Sequence, residues 1–574
     1  MSKKDKSFEE IISLWIIERL KKCFDLNVDK IDILPTNNDK YGDFQCNASL
    51  SLSKKLNLSP RDISNLIISN SDLPIFIEKA EIAGPGFINF YIKNSAISLL
   101  LEKIKLDPFL GVEQIGKGKT VIIDYSSPNV AKPMHIGHIR STVIGNAIDR
   151  FHRFQGYKVI SDNHVGDWGT QFGLMLIGFR EFVNEESLKI SPIDELERIY
   201  VKSYNKSKDD EKWRELAKLE LVKLQKGDKE NLLLWKKFVE LSLDEFNKIY
   251  SRLDVNFDLC RGESFYNNYL SEIINDLYDK NLVKESDGAL VVDLEEQGMP
   301  VCIVRKSDGG YNYATTDIAT VKLRQKEYNP DKIIYVTDER QQLHFKQFFS
   351  ISESLGLNTN LKHIWFGLMR LPEATFSTRE GNVIKLNDLL DEAEKRALEI
   401  IRKNDKGLNT EQEEALASAI GIGAIKYSDL SQNPQSIVTF TWEKALSLDG
   451  NSAPYLQYAY ARISSVYDKY IEKFGDNLIN EYSINIDDVI ERRLAIKLSK
   501  FPVALNKAIK NYKPNVLTDY LFELSQLYSS FYQNLPFLKA DEGIRESRIR
   551  ICSLTARILK NGLNLLGIKT PERI

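Results

Sequence analysis

The strongest constraint on the fold is a strand–loop–helix–strand pattern in the second hundred residues. Val121–Tyr125 reads Val-Ile-Ile-Asp-Tyr, an apolar run typical of a buried strand. A loop rich in Ser, Pro and Asn follows, then a helical pattern from about His138 to Phe154 and a second apolar run at Tyr157–Ser161. Two strands joined by a crossover helix form the unit of a parallel sheet. The sequence therefore predicts an α/β fold.

Three regions can be separated along the chain. Residues 1–115 mix helical and extended patterns, and we expect an α+β N-terminal domain. Residues 116–448 contain the α/β pattern, with a charged helical insertion at about 181–252. Residues 449–574 show aromatic and aliphatic spacing near 3.6, which predicts an all-α domain.

Individual elements can be placed within these regions. Phe8–Phe24 has a helical pattern, and Ile82–Ile92 is an extended stretch broken by Gly84-Pro-Gly86. Further strands of the α/β region, with helices between them, are predicted near Leu290–Val292, Val301–Arg305, Ile333–Val336 and His363–Phe366.

Composition and charge exclude several classes of protein. The five cysteines are scattered, which argues against a disulfide framework and fits a reducing cytosol. We see neither a signal peptide nor an apolar run near the roughly 18 residues that span a bilayer, so a cytoplasmic location without membrane contact is expected. The net charge is −3, yet the chain from Asn451 onward carries 18 Lys and Arg against 13 Asp and Glu. This excess allows a C-terminal region that binds a polyanion.

The loop before the crossover helix carries the clearest chemistry, in the run Ser127-Pro-Asn-Val-Ala-Lys-Pro-Met-His-Ile-Gly-His138. A helix N-terminus offers free N–H groups to phosphate. His135 and His138 are three residues apart, so both imidazoles can hydrogen-bond phosphate oxygens as charge builds in a transition state. Gly137 lets a flat base approach the backbone, and Lys132 adds a mobile positive charge. This pattern predicts a nucleotide site.

A zinc site is the main rival interpretation of these histidines. His-x-x-His spacing can bind zinc, and His152 and His164 lie nearby in the sequence. The glycine between the first two histidines and the strand–loop–helix setting argue against zinc. We expect no protein-bound structural metal.

The tetrapeptide His135-Ile-Gly-His138 is the HIGH signature, and the chain resembles the class I aminoacyl-tRNA synthetases. The longer run that begins at Ser127 resembles the arginyl-tRNA synthetase family specifically. Other segments resemble this family too: Gly166-Asp-Trp-Gly169, Tyr313-Ala-Thr-Thr-Asp317, Arg340-Gln-Gln-Leu-His-Phe345, Ser377-Thr-Arg-Glu-Gly381 and the C-terminal Leu-Gly-Ile-Lys-Thr-Pro-Glu-Arg-Ile. The similarity spans about residues 40–574.

The resemblance implies a doubly wound parallel sheet, Rossmann-like, with ATP at the carboxyl ends of the strands. It implies an N-terminal domain that contacts tRNA and an all-α anticodon-binding domain. The implied reaction activates L-arginine with ATP to arginyl-adenylate, then transfers the arginyl group to the terminal adenosine of tRNA(Arg). ATP with Mg²⁺, L-arginine and tRNA(Arg) are the implied partners, DNA is not, and a monomer is expected because the family is mostly monomeric.

Roles for single residues also follow from the resemblance. The implied catalytic residues are His135, His138 and Lys132. The implied ATP contacts are His135, Gly137, His138, Lys132, Ser377, Thr378 and Arg379. The implied L-arginine contacts are Ser127, Pro128, Asn129, His138, Glu263, Tyr313, Asp317 and Gln341.

The side-chain chemistry of this set suits a guanidinium. Tyr313 and Asp317 are spaced i, i+4, so on a helix they share one face. An aromatic ring and a carboxylate there could stack on and pair with the planar, always-charged arginine side chain. An ordinary amphipathic helix start would show the same spacing.

One departure from the family concerns the KMSKS loop. The aligned residues are Thr375-Phe-Ser-Thr-Arg379, with Thr at both lysine positions. The pyrophosphate charge must then be offset elsewhere, and Lys132 is the first candidate, with Arg379 the second. A solvated loop lysine is the alternative interpretation of Lys132.

Two other functions remain open. The altered loop allows a catalytically altered tRNA-binding relative, although His135, His138 and Asn129 are all present. A small-molecule adenylating enzyme of the HIGH superfamily is the other alternative. Such enzymes are usually much shorter and lack a long helical C-terminal half.

Overall fold

The computed structural model describes residues 7–36, 39–69, 72–370, 384–403, 407–476, 479 and 481–574. The chain divides into two compact units. The first consists of Met1–Pro108, Phe474–Ser499 and Ser530–Ile551; the second of Phe109–Lys473, Lys500–Ser529 and Cys552–Ile574. The predicted domain limits, 1–115, 116–448 and 449–574, stay a prediction.

The first unit contains an antiparallel four-stranded sheet. Its elements up to residue 108 are α1 (Phe8–Phe24), β1 (Ile33–Pro35), β2 (Phe44–Cys46), α2 (Ala48–Leu56), α3 (Pro60–Ile68), β3 (Ile77–Ala83), β4 (Phe87–Ile92) and α4 (Asn94–Leu106). The strand order is β1-β2-β4-β3. The predicted helix at residues 8–24 is confirmed, and Ser7 and Glu10 form its capping box. The glycines predicted to break the extended stretch form the β3–β4 turn, where Gly86 has φ +142° and backs onto the Pro60 carbonyl.

The second unit carries the α/β fold. Its elements up to residue 370 are β5 (Thr120–Asp124), α5 (Ile136–Phe154), β6 (Lys158–Asp162), α6 (Gln171–Phe182), α7 (Glu185–Ile190), α8 (Pro192–Asp209), α9 (Glu211–Gln225), α10 (Lys229–Arg252), α11 (Leu270–Asp279), β7 (Val283–Ser286), β8 (Ala289–Val292), β9 (Cys302–Arg305), α12 (Tyr313–Tyr328), β10 (Lys332–Asp338), α13 (Gln342–Ser354), β11 (Asn360–Phe366) and β12 (Met369–Arg370). Helices α7 to α10 lie within or close to residues 181–252, and the status of this segment as an insertion stays a prediction.

The parallel sheet has the strand order β11-β10-β5-β6. The chain leaves β5 through α5 to pair on one side with β6, and later returns to pair on the other side with β10. The strand order therefore reverses between β5 and β10, which confirms the doubly wound prediction. In such sheets ligands bind at the carboxyl ends of the strands beside this reversal.

The core of this sheet is apolar on the face that α12 and α13 cover. Ile122 of β5, Ile160 of β6 and Ile333 of β10 belong to one buried cluster with Ile318 of α12 and Phe348 of α13. Burial of such a cluster supplies the main stabilisation of the fold. Helix α5 contacts β5, β6 and β10. The loop after β5 therefore leads into a helix that is packed against three strands.

Two predicted strands lie outside the parallel sheet. Those near Leu290–Val292 and Val301–Arg305 are β8 and β9, which form a separate antiparallel sheet of order β7-β8-β9. The connection between them holds a 3₁₀ turn at Glu295–Gln297 rather than a helix. A parallel crossover needs about a dozen residues or more, so this short connection favours antiparallel pairing.

The rest of the chain is mainly helical, as predicted. Its elements are α14 (Leu386–Lys403), α15 (Thr410–Leu430), β13 (Val438–Thr439), α16 (Trp442–Ala445), α17 (Ala453–Phe474), α18 (Val489–Ser499), α19 (Phe501–Asn511), α20 (Pro514–Asn534) and α21 (Ile544–Leu565). Across the described residues, no helix is both long and apolar enough to cross a bilayer.

Candidate active site

The loop between β5 and α5 is held in a strained conformation. Ser126, Ser127 and Ala131 have φ values of +72°, +49° and +62°, which L-residues rarely adopt. The backbone N–H of Ser126 donates to Ser141 Oγ at 2.9 Å, and that of Ser127 donates to Asn163 Oδ1 at 3.1 Å. Strain of this kind persists only where surrounding contacts enforce it. The loop is therefore preorganised at the edge where a ligand of a doubly wound sheet binds.

A buried arginine ties the ends of the two strands beside this loop. Arg324 donates to Asp124 Oδ2 at 2.6 Å and to Asp162 Oδ2 at 2.8 Å, and its side chain is almost fully buried. Asp124 also accepts a hydrogen bond from Ser127 Oγ at 3.1 Å. Arg324 thus connects the last residues of β5 and β6 to the start of the loop, a role that no local sequence pattern indicated.

Pro128 and Asn129 pack against the glycine-rich segment that follows β6. Gly166 N donates to Pro128 O at 3.1 Å, and Val130 N donates to Gly166 O at 3.0 Å. A Cβ atom at Gly166 would lie 2.2 Å from Asn129 Oδ1, so a side chain there would displace the Asn129 amide. Asn129 itself is exposed. The segment Gly166-Asp-Trp-Gly169 therefore packs against the β5–α5 loop and supports its conformation.

His135 and His138 lie side by side at the start of α5. Their ring centroids are 3.9 Å apart. The Gly137 N–H donates to His135 Nδ1 at 3.0 Å, and the His135 N–H donates to His138 Nδ1 at 3.0 Å. Because both Nδ1 atoms accept hydrogen bonds, the proton of each neutral ring is on Nε2. A Cβ atom at Gly137 would lie 2.7 Å from the His135 ring, which explains the glycine.

Burial keeps both imidazoles uncharged at neutral pH. It lowers the pKa of His135 to about 4, with a further contribution from the positive charges of Lys132 and Arg340. It lowers the pKa of His138 to about 3, and the charges of His135 and Lys132 add to the effect. The two rings therefore act as neutral N–H donors. Positive charge for a phosphate group has to come from other side chains.

Lys132 and Lys385 flank the HIGH tetrapeptide. Lys132 is exposed, and its Nζ lies 5.1 Å from the centroid of the Tyr200 ring in α8. Lys385 forms an antiparallel bridge with His135, and its Nζ donates to Asp194 Oδ1 at 2.6 Å. Of the predicted ATP contacts, Ser377, Thr378 and Arg379 lie outside the described residues.

The predicted guanidinium pocket contains two carboxylates. Asp317 lies one turn into α12, and Glu263 opens a 3₁₀ helix at Glu263–Tyr269. Burial raises the pKa of Glu263 to about 8, with further contributions from the negative charges of Asp317 and Asp167. Burial and then the charge of Glu263 raise the pKa of Tyr313. Tyr313 and Asp317 lie on one face of α12. The fold brings Glu263, which is far from them in the sequence, close to both.

Gln341 lies at the carboxyl end of β10, beside the strand reversal. It is exposed, ends a 3₁₀ turn at Glu339–Gln341 and is the N-cap of α13. This position is at the same edge of the sheet as the β5 loop, as the prediction requires. The role of Gln341 stays a prediction.

Sequence reasoning missed two residues of this region. His344 Nε2 lies 2.5 Å from Asp317 Oδ2, and the charge of Arg340 reaches His135. Both belong to the segment Arg340–Phe345, which resembles the family and in which the resemblance implies a role for Gln341 alone. The run itself was the signal that could have found them.

The remaining histidines of the zinc interpretation have other surroundings. His152 Nδ1 lies 2.7 Å from the Ile148 carbonyl oxygen, and His164 packs against the Tyr266 ring. Within the described part of the chain, no three His, Cys, Asp or Glu side chains form a group that could hold a metal ion.

The doubly wound sheet and the paired imidazoles at the first crossover helix are the arrangement of a class I aminoacyl-tRNA synthetase. A family model described as "tRNA synthetases class I (R), catalytic domain" matches residues 98–442. Models described as "Arginyl tRNA synthetase N terminal domain" and "DALR anticodon binding domain" match residues 10–92 and 456–574. The chain belongs to the arginyl-tRNA synthetase family.

Similar proteins cover nearly the whole chain. An arginine–tRNA ligase of Fusobacterium nucleatum is 46% identical over 540 residues, which is 94% of each chain. An arginine–tRNA ligase of Crocosphaera subtropica is 41% identical over 93% of this chain and 94% of its own length. The crystal structure of arginyl-tRNA synthetase from Plasmodium falciparum has a TM-score of 0.84 at 28% identity, and 99% of each chain is covered.

Proposed function

We propose that this protein joins L-arginine to the terminal adenosine of tRNA(Arg) with ATP as the energy source. The activity follows from its membership of the arginyl-tRNA synthetase family, since the similar proteins of Fusobacterium nucleatum and Crocosphaera subtropica are named arginine–tRNA ligase. The observation that carries the assignment within this chain is the carboxylate pair Glu263 and Asp317, since the Glu263 N–H donates to the Val165 carbonyl in the segment that packs against the β5–α5 loop. A guanidinium is the amino-acid side chain that can pair with both carboxylates at once.

ATP is proposed to lie across the start of α5. The Nε2–H groups of His135 and His138 would donate to phosphate oxygens as negative charge builds, and Gly137 would leave room for the base. Lys132 is proposed to offset the charge of the leaving pyrophosphate. ATP would enter as its Mg²⁺ complex, in which the ion keeps several waters. The proposed contacts Ser377, Thr378 and Arg379 rest on the family resemblance alone.

Arginine is proposed to lie beside ATP at the carboxyl edge of the sheet. Its guanidinium would pair with Glu263 and Asp317 under the Tyr313 ring. Its amino and carboxylate groups would contact the residues at the ends of β5 and β10, together with one imidazole: Ser127, Pro128, Asn129, His138 and Gln341. The arginine carboxylate is itself the nucleophile that attacks the α-phosphorus, so no side-chain base is needed and the protein contributes positioning.

The second half-reaction needs tRNA at the same site. The residues 10–92 and 456–574 that match the N-terminal and anticodon-binding models are the proposed tRNA-contacting regions. The excess of basic residues from Asn451 onward, 18 against 13 acidic ones, suits a polyanionic partner. A monomer in the cytoplasm is the state we propose.

ATP–pyrophosphate exchange tests this function. The purified protein is offered each of the twenty amino acids, with and without tRNA. Exchange with arginine alone, followed by charging of tRNA(Arg), is the expected result. Tight tRNA binding without pyrophosphate exchange would instead indicate a catalytically altered relative. If none of the amino acids supports exchange and another carboxylic acid does, the protein would be a small-molecule adenylating enzyme.

A further inference from the structure

His344 makes a short contact with the carboxylate that we assign to guanidinium recognition. Its Nε2 lies 2.5 Å from Asp317 Oδ2. A carboxylate oxygen can only accept a hydrogen bond, so Nε2 carries the proton and donates it. The two side chains come from different helices, α13 and α12, and are 32% and 20% exposed. They therefore border the pocket rather than the core.

The position of the His344 ring is set by aromatic packing. Its centroid lies 5.7 Å from that of Phe345 and 5.3 Å from that of Phe348. Both phenylalanines belong to the buried cluster between the parallel sheet and α13. The imidazole is thus packed against the buried apolar cluster of the unit, and its N–H points at one oxygen of Asp317.

Asp317 has a second carboxylate close to it. Glu263 is near enough for the charge of Asp317 to raise its pKa. The N–H of His344 donates to Asp317, so it offsets part of the repulsion between the two carboxylates. The same hydrogen bond fixes the orientation of the carboxylate while using only one of its several acceptor positions.

We propose that His344 is a positioning residue for arginine recognition: it orients the Asp317 carboxylate toward the guanidinium. This inference rests on the proposed function. It adds a residue that does not contact arginine itself but orients one that does. It concerns recognition of the arginine side chain, not the chemistry at the α-phosphorus. The loss of His344 should therefore act on arginine binding and leave ATP binding unchanged.

Three substitutions at this position separate positioning from simple support of the fold. His344→Ala removes the donor, His344→Asn is too short to reach Asp317, and His344→Gln can place an N–H near the position of Nε2. Gln347→Ala is the matched control on the same helix, since the Gln347 amide contacts the Pro300 carbonyl instead. Thermal unfolding of each variant checks that the fold is retained.

Exchange kinetics with arginine and ATP provide the measurement. We expect His344→Ala and His344→Asn to raise KM for arginine about 10- to 100-fold, the usual effect of losing a hydrogen bond to a charged group. KM for ATP should stay unchanged, and His344→Gln should recover most of the arginine affinity. The neutral isostere citrulline is expected to inhibit the wild type poorly, because it lacks the charge, and should lose relatively little affinity on the same substitutions.

Two outcomes would overturn the inference. One is an unchanged KM for arginine in the alanine variant, and the other is a parallel rise of both KM values that glutamine does not rescue. The wild-type reaction distinguishes this failure from failure of the proposed function. If the wild type catalyses exchange with arginine and the His344 variants behave like Gln347→Ala, only the role of His344 is wrong. If the wild type does not use arginine, both proposals are wrong.

Discussion

The ammonium of Lys132 lies over the ring of Tyr200, 5.1 Å from its centroid. Tyr200 belongs to α8 of the helical insertion, and the same helix carries Asp194, the partner of Lys385. Lys385 in turn pairs with His135 through the backbone. One insertion helix therefore contacts both lysines that flank the HIGH tetrapeptide, and it can hold their charges near the nucleotide site.

Replacement of Lys132 by alanine should lower the rate of adenylate formation about 10²- to 10³-fold, the usual effect of losing one group that stabilises transition-state charge. The reason is that the neutral imidazoles supply no positive charge. Single-turnover formation of arginyl-adenylate is the measurement. Lys202→Ala is the control, because Lys202 also lies over an aromatic ring, that of Phe182 at 4.2 Å. Near-wild-type rates for Lys132→Ala would transfer the role to another cation, with Lys385 the first to test.

Asp317→Asn should abolish measurable arginine binding and leave ATP binding intact. The substitution keeps the shape of the side chain and removes the charge that pairs with the guanidinium. Equilibrium binding of each substrate, measured separately, checks this outcome. Glu327→Gln on the same helix removes a carboxylate that pairs with Arg261 and should leave both affinities unchanged. Retained arginine affinity in Asp317→Asn would place the guanidinium elsewhere.

The affinity for arginine should fall as the pH decreases below 8. Glu263, whose pKa is raised to about 8 by burial and by nearby carboxylates, is protonated in the free protein below this pH. Binding of a cation favours the ionised form, so the proton must leave and the dissociation constant should rise up to about tenfold per pH unit. Titrations with arginine between pH 6.5 and 9 test this linkage. Glu263→Gln should bind arginine weakly with little pH dependence over the same range; a flat wild-type profile would contradict the prediction.

The same carboxyl group should lower the stability of the free protein at high pH. Because the folded-state pKa of Glu263 is raised from about 4.5 to about 8, the folded state binds the extra proton between these values. The free energy of unfolding therefore falls as the pH rises through this window, and the loss is complete above about pH 8. Glu263→Gln should then be more stable than the wild type at pH 9, by on the order of 5 kcal/mol, and equally stable near pH 4. Urea unfolding at the two pH values measures this difference, and equal stabilities at pH 9 would rule it out.

Local patterns predicted the elements, but not the contacts between remote residues. Helix α1 was placed correctly at both ends because capping and apolar spacing are local signals. The pairing of β8 with β9 was missed, since strand runs look alike in parallel and antiparallel sheets. The contact between His344 and Asp317 spans 27 residues and two helices, and no periodicity records it.

The division of the chain into two compact units also cannot be predicted from local sequence patterns. Phe474–Ser499 and Ser530–Ile551 belong to the unit that begins at the N-terminus. Within it, Arg550 donates to Glu102 Oε2 and to the Ile479 carbonyl. Helical spacing identified these segments as helices, but it holds no information on the partners of their polar side chains. The candidate site residues follow from motifs, because a motif is a local signal that needs no knowledge of remote contacts.

A buried ion pair connects the HIGH helix to the helical part that follows the sheet. Arg140 of α5 donates to Asp429 Oδ1 of α15 at 2.8 Å, and both side chains are 1% exposed. The guanidinium also donates to the carbonyl oxygens of Gly367 and Ser436. Asp429→Ala would leave the arginine buried without its counter-charge, which typically costs about 3–5 kcal/mol of unfolding free energy. Urea unfolding should show this loss, while Asp468→Ala is the control for removal of a carboxylate from the helical C-terminal region, with an expected change below about 0.5 kcal/mol. A loss as small as that of the control would mean that water or a local rearrangement satisfies Arg140, and that the start of α5 does not depend on this pair.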